Sequence, residues 1–170
     1  MPLMQNNFRI GFGYDIHAFT EGNHVILGGV TIPYYKKLKA HSDGDVLLHA
    51  VCDALLGAAA MGDIGIHFPD NEERYRNISS MKLLEKTAEK IRTAGFAPVN
   101  IDVTVIAESP KISPHYETIR KNIAEKCGIE TGCVSVKATT NEKIGTIGRG
   151  EGIAAMAVAL LVKGNIQSLV

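Results

Sequence analysis

Between residues 42 and 61, apolar side chains recur at spacings of three and four, at Val46, Leu47, Val51, Ala54, Leu55 and Ala58. Only a helix gathers that pattern onto one face. Ser42 or Asp43 is placed to cap its first amides, and Gly62 to end it. The flanking segments follow a different period. Residues 8–19 alternate around Ile10, Phe12, Tyr14 and Ile16, and residues 24–32 carry Val25, Ile26 and Leu27, a Gly28-Gly29 turn, then Val30 and Ile32, so both read as extended chain.

The alternation continues. Ser79 or Ser80 starts a second helix through Leu83, Leu84, Thr87, Ala88 and Ile91 to a stop at Gly95. Ser113-Pro114 starts a third, through Ile119 and Ile123 to Gly128. Residues 99–107, 134–139 and 153–162 complete the strands. This order predicts an α+β fold, a mixed β-sheet with helices packed on one face; α/β is the alternative that element order alone leaves open.

At 170 residues, with no repeat or linker-like tract, the chain is expected to form one domain over residues 1–170, with residues 1–7 as a flexible N-terminal extension. Eighteen basic residues balance 18 acidic ones, and there is no Trp, so neither net charge nor stacking surface points to nucleic acid as a partner. Any anion must meet local charge. The apolar run 153–162 is half the roughly 20 residues that span a bilayer, and the N-terminus lacks the pattern of a targeting segment. No membrane partner and a cytoplasmic location are the expectation. Cys52, Cys127 and Cys133 show no paired spacing and read as small apolar filler.

Asp15 and His17 lie two apart in an extended segment, so their side chains share a face. A second cluster, His41-Ser42-Asp43-Gly44-Asp45, leads into His49 on the first helix. A carboxylate with two imidazoles, leaving one tetrahedral position open, is a catalytic zinc set. Asp45, His49 and Asp53 are four apart, and Asp53 is the favoured partner for the second nitrogen of His49. His24, His67 and His115 lack matching neighbours and read as structural or solvent-facing.

Two segments suit phosphate. Thr139-Thr140-Asn141-Glu142-Lys143 precedes a stretch punctuated by Gly145, Gly148, Gly150 and Gly152 with Arg149 among them. Hydroxyls, amides and a guanidinium hold phosphate oxygens, and Glu142 offers a hard oxygen to magnesium. Neither a Walker loop nor a dinucleotide fingerprint is present, so a plain glycine-rich turn stays open. Ser109-Pro110-Lys111 reads equally as a tight turn.

Taken together, Gly13-Tyr14-Asp15-Ile16-His17, Ala40-His41-Ser42-Asp43-Gly44-Asp45 with His49, Gly62-Asp63-Ile64-Gly65 with Phe68-Pro69-Asp70, and the run from Val136 through Thr140 and Glu142 to Gly152 resemble the 2-C-methyl-D-erythritol 2,4-cyclodiphosphate synthase family over nearly the whole chain. The resemblance implies one zinc ion per subunit on Asp15, His17 and His49, magnesium or manganese at Glu142, and transition-state stabilisation by His41 and Thr140. It implies a cytidine-diphosphate cradle from Asp63, Ile64 and Gly65 and from the loop Ala107, Glu108, Ser109, Pro110, Lys111, Ile112 and Ser113. Phe68, Pro69, Asp70, Asn71 and Glu72 would surround the methylerythritol phosphate. Asp15, Ile16, His17, His41, Ser42, Thr139, Thr140, Asn141, Glu142, Thr146 and Arg149 would complete the substrate contacts. It further implies a homotrimer with active sites between subunits, acting on a cytidine-diphosphate substrate in the non-mevalonate isoprenoid pathway. The sequence departs from the family's commoner pattern at Thr146, Ser109 and Met156. A zinc hydrolase and a non-catalytic, metal-stabilised sensor trimer are the competing readings.

Overall fold

In the computed structural model, which describes residues 7–69, 71–75 and 77–164, the chain runs β1 (Phe8–Glu21), β2 (His24–Leu27), β3 (Val30–Pro33), β4 (Lys36–Leu38), α1 (Val46–Ala58), α2 (Ile64–His67), α3 (Ser80–Thr93), β5 (Phe96–Ile106), α4 (Tyr116–Cys127), β6 (Val134–Thr139), α5 (Gly145–Gly148) and β7 (Gly152–Lys163). Residues 1–6 of the expected flexible extension, and the candidate site residue Asp70, lie outside the described residues. Asn7 already joins the fold, its carbonyl accepting from Lys163 N at 2.7 Å.

Five strands form one sheet in the order β4-β1-β7-β5-β6, antiparallel throughout except for the parallel β5–β6 pair, and β2–β3 form a separate hairpin. Strand residues alternate faces. Ile153, Ala155, Ala157 and Leu161 of β7 and Ile101, Val103 and Val105 of β5 are buried, while on the opposite face Ile10, Phe12, Tyr14, Ile16, Met156 and Val158 stay exposed. The long helices pack on the buried face, so the expected α+β sheet with helices on one side is what forms.

Helix α1 is buried nearly all round, because β1 and β7 lie on one side and α3 on another. Each large aliphatic side chain it hides contributes on the order of 1.5–3 kcal/mol. Its start differs from the expected one. The cap is Asp45, not Ser42 or Asp43: Asp45 Oδ1 accepts from Leu48 N at 3.1 Å. Its carboxylate also takes Gly28 N at 3.0 Å and Gly29 N at 2.7 Å, pinning the β2–β3 turn, where both glycines hold positive φ, to the head of α1. The third helix is preceded by a single 3-10 turn, Ser113–His115, and stops as expected at left-handed Gly128. The short β4, α2 and α5 carry no period long enough to read in sequence. Cys52 and Cys127 are buried and Cys133 is half-buried, all as free thiols. Among the described residues, no helix is long and apolar enough to cross a membrane.

Candidate metal centre and substrate cavity

Asp15 and His17 leave β1 on its helix-facing side, and α1 brings His49 over them. Asp15 Oδ2 lies 2.9 Å from His17 Nε2 and 3.0 Å from His49 Nδ1, and the two nitrogens are 3.1 Å apart. Three donor atoms thus form a near-equilateral triangle. Zinc bonds of about 2.0–2.1 Å in tetrahedral geometry need donors roughly 3.3 Å apart, so this triangle is close to one face of a coordination sphere. Protons alone serve it poorly, since two N–H groups aimed at one oxygen would stand side by side and repel. The sequence-predicted ligand set therefore converges, and its chemistry fits zinc.

Charge follows from the same contacts. Burial by itself would raise the Asp15 carboxyl, but hydrogen bonds and positive charge from His17 and His49 hold it well below the usual carboxylate range. Burial pulls the His49 imidazolium the other way, and Asp15 beside it wins, raising its pKa.

The far nitrogen of His49 does not meet Asp53. Asp53 Oδ1 accepts from Ile64 N at 2.7 Å, tying α2 to α1, and burial raises its pKa against that bond. Asp45 does not bond that nitrogen either, its carboxylate being taken by the amides of Gly28, Gly29 and Leu48, although helical spacing allowed such a contact. His49 Nε2 faces Ser80 Oγ at 3.0 Å and Ser42 Oγ at 3.1 Å. Sequence reading assigned Ser80 only as one of two caps; Ser79 is the cap, accepting from Met81 N.

The triad opens into a cavity of about 730 Å³ lined by His17, Lys39, Ala40, His41, Ser42, His49, Ile64, Gly65, Phe68, Pro69, Asn71, Tyr75, Ile78 and Leu83. Most residues expected around the methylerythritol phosphate are therefore together. Glu72 stands beside them, its amide bonded to Pro69 O at 3.2 Å, and Asp63 caps α2 through Ile66 N. Ile16 points instead to the exposed face of β1. Lys39, Tyr75 and Ile78 were not singled out in the sequence, and Leu83 only as a position of the second helix. Only its place directly before the Ala40-His41 motif marks Lys39 in the sequence.

A second group gathers elsewhere. Ala107 N bonds Thr139 O at 3.0 Å, joining the loops that follow β5 and β6. Glu108, expected to touch substrate, has its carboxylate committed to the neighbouring loop: Oε1 accepts from Asn141 N at 3.0 Å and Lys143 N at 3.3 Å, and Oε2 pairs with Lys143 Nζ at 2.5 Å. Thr140 Oγ1 donates to Glu142 Oε1 at 2.9 Å, and Arg149 Nε donates to Glu151. Ser109, Pro110, Lys111, Ile112 and Ser113 continue the first loop, Pro110 through a cis peptide and Ile112 buried, while Thr146 lies on α5. None of these residues lines the triad's cavity. The register explains why. His17 pairs with Ile153, Ile106 with Ala154 and Thr139 with Ile106, which sets both groups at one end of the sheet. β1 and β6 are three strands apart, about 14 Å at 4.8 Å per strand.

His67 Nε2 bonds Met61 O at 2.9 Å and His24 Nδ1 meets Asn23 Oδ1 at 2.7 Å, both structural contacts as expected, and His115 heads α4.

Residues 8–162 match the model of the YgbB family. The 2-C-methyl-D-erythritol 2,4-cyclodiphosphate synthase of Thioalkalivibrio sulfidiphilus is 56% identical over 155 residues, 91% of this chain and 97% of that protein. Among solved structures, IspF of Plasmodium falciparum in complex with CDP superposes with a TM-score of 0.81 at 38% identity, over 94% of this chain and 99% of that one. The bifunctional IspDF of Campylobacter jejuni gives 0.89 at 43% identity, over 93% of this chain and 43% of that longer one.

Proposed function

The chain belongs to the YgbB family of cyclodiphosphate synthases, and from that premise we propose that it converts 4-diphosphocytidyl-2-C-methyl-D-erythritol 2-phosphate to 2-C-methyl-D-erythritol 2,4-cyclodiphosphate with release of CMP. The reaction is an intramolecular phosphoryl transfer: the 2-phosphate oxygen bonds the β-phosphorus as the bond from that phosphorus to the CMP oxygen breaks. It belongs to the phosphorus-oxygen lyase class and to non-mevalonate isoprenoid biosynthesis.

The observation that carries this reading is the convergence of Asp15, His17 and His49 within 3.1 Å of one another beside a substrate-sized cavity. Bringing two phosphate groups together costs on the order of 4 kcal/mol per unit-charge pair at 4 Å and an effective dielectric of about 20. A zinc ion on the triad, with magnesium or manganese at Glu142, would supply the neutralising charge. The protein's own task is then to orient and to screen. His41 and Ser42 hold phosphate oxygens from the cavity wall, and Phe68 and Pro69 with Asn71 and Glu72 enclose the methylerythritol carbons. Asp63, Ile64 and Gly65 and the 107–113 loop cradle the cytidine diphosphate, with Asp70 in the adjoining segment. Thr139, Thr140, Asn141, Thr146 and Arg149 serve the diphosphate. No protein nucleophile is needed, because the attacking oxygen arrives ionised.

Since about 14 Å separates β1 from β6, a complete site draws its two halves from neighbouring copies in a homotrimer. The apolar face of β1 and β7, with Ile10 74% and Phe12 60% exposed, gives the copies a surface to share. Incubation with the cytidyl substrate, with and without a chelator, tests the proposal. Metal-dependent cyclic diphosphate and CMP are expected; linear diphosphate products would instead assign a hydrolase.

A further inference from the structure

Two hydrogen-bonding groups lie behind His49 that the reaction itself does not require. Ser80 is fully buried, and its Oγ sits 3.0 Å from His49 Nε2 and 2.5 Å from Asp43 Oδ1. Asp43 Oδ2 takes the Ser80 amide at 2.9 Å. An ionised carboxylate only accepts, so the single hydroxyl proton of Ser80 is committed to Asp43. Ser80 Oγ therefore turns a lone pair toward His49, and only a protonated Nε2 satisfies it. Ser42 Oγ, 3.1 Å from the same nitrogen, accepts from Gly44 N at 3.2 Å, and among the described residues no carboxylate bonds it to fix its own proton.

We propose that Ser80 and Asp43 are a positioning pair that holds the proton on His49 Nε2, so that Nδ1, beside Asp15 and His17, is the nitrogen that gives up its proton and presents its lone pair to the metal. This rests on the zinc reading of the triad. It explains why a serine and an aspartate 37 residues apart in sequence are locked together behind the cavity. Partners of this kind orient a ligand imidazole and raise its basicity, and losing one typically weakens metal binding about 10–100-fold.

Zinc titration against a competing chelator, on wild type, Ser80→Ala, Asp43→Asn and the double variant, provides the test. It is paired with NMR of ¹⁵N-histidine-labelled protein to follow the His49 Nε2 proton. Wild type should bind one zinc and keep that proton protected from exchange. Ser80→Ala should bind zinc about 10–100-fold more weakly and exchange the proton faster. In Asp43→Asn the oxygen must stay on the Ser80 amide, which cannot turn, so the side-chain NH₂ faces Ser80 Oγ and drives the hydroxyl proton toward Nε2. Zinc affinity should then fall, with some loosening at the Asp45 amide, which donates to Asp43 Oδ1 at 3.3 Å in wild type. The double variant should be no worse than Ser80→Ala, because Asp43 acts through Ser80. A folded Ser80→Ala with wild-type zinc affinity and proton exchange overturns the proposal. Should Ser80→Ala not fold, the wild-type spectrum decides: an Nε2 proton exchanging at the solvent rate overturns it. Wild type that binds no zinc refutes the triad reading instead, and the exchange rate of the Nε2 proton in metal-free protein still reports on Ser80.

Discussion

Gly13 of β1 lies so close to α1 that a β-carbon on it would stand 1.9 Å from the carbonyl oxygen of Ala50. Gly11 bears the same relation to Ala54, also at 1.9 Å. Backbone thus packs on backbone where the metal triad is assembled, and His49 precedes Ala50 on the helix. Gly13→Ala must push α1 outward. Overpacking of this sort costs about 1–3 kcal/mol or more, which at this chain length lowers Tm by roughly 2–4 °C per kcal/mol. Zinc affinity is expected to fall with it, as His49 Nδ1 moves off Asp15. Gly132→Ala, where an added β-carbon meets nothing within 4 Å, is the control. Equal melting temperatures and equal zinc affinity for the two variants would contradict the packing argument.

His49→Ala removes one corner of the donor triangle while leaving the apolar residues of α1 in place. It is expected to lose most bound zinc and nearly all CMP release, with the circular dichroism spectrum retained. Metal analysis and a CMP assay check both halves; turnover at the wild-type rate would place the chemistry elsewhere.

What the sequence revealed, and what it hid, follows from separation along the chain. Asp15 and His17 were legible because a strand's period of two needs no tertiary knowledge, and His49 because a helix period fixed the element carrying it. The partner of its far nitrogen was not. Local spacing favoured Asp53, four residues on, but the bond of Asp53 to Ile64 N is made across a turn, and Ser80 reaches His49 from a separate helix. The Asp45 carboxylate was likewise taken up by the amides of Gly28, Gly29 and Leu48 rather than by His49. The alternation of Ile10, Phe12, Tyr14 and Ile16 identified β1 as a strand, yet these residues lie on its exposed face and glycines occupy the buried one. Hydrophobicity alone does not say which face meets a helix and which stays exposed.

The triad should also make stability and zinc binding depend on pH in opposite senses. In metal-free protein, a His49 pKa raised above 6.5 contributes stability that is complete below that pH and is lost as pH rises through the folded value. Asp15, held below 3.8, contributes stability complete above that pH and lost as pH falls through its lower folded value. The cluster therefore stabilises metal-free protein most between about pH 4 and 6.5. Zinc must displace the His49 proton, so its affinity should rise with pH across the range where that proton leaves. Thermal melts of chelator-treated protein and zinc titrations over pH 5–9 measure the two trends; parallel trends would show that His49 is not a ligand.

Glu108 and Glu142 should separate loop shape from metal binding. Glu142 and Lys143 hold left-handed backbone, φ 49° and 65°, at a cost of about 1–3 kcal/mol each, and Glu108 secures that bend by accepting from Asn141 N and Lys143 N. Glu108→Gln keeps one carbonyl oxygen to accept from both Asn141 N and Lys143 N but loses the Lys143 ion pair. That pair has an exposed lysine, and solvent-screened pairs of this kind add little to the whole fold, so Tm should scarcely move. The two loop amides keep their bonds but lose a charged acceptor, so the bend loosens and kcat/KM should fall several-fold. Glu142→Gln retains the acceptor for Thr140 Oγ1 and so the bend, but its neutral amide is a poorer magnesium ligand. Its zinc content should stay at the wild-type level while the magnesium concentration for half-maximal activity rises. If Glu108→Gln shifted the magnesium requirement and Glu142→Gln did not, the assignment of the cation to Glu142 would be wrong and the carboxylate at 108 would be the better candidate.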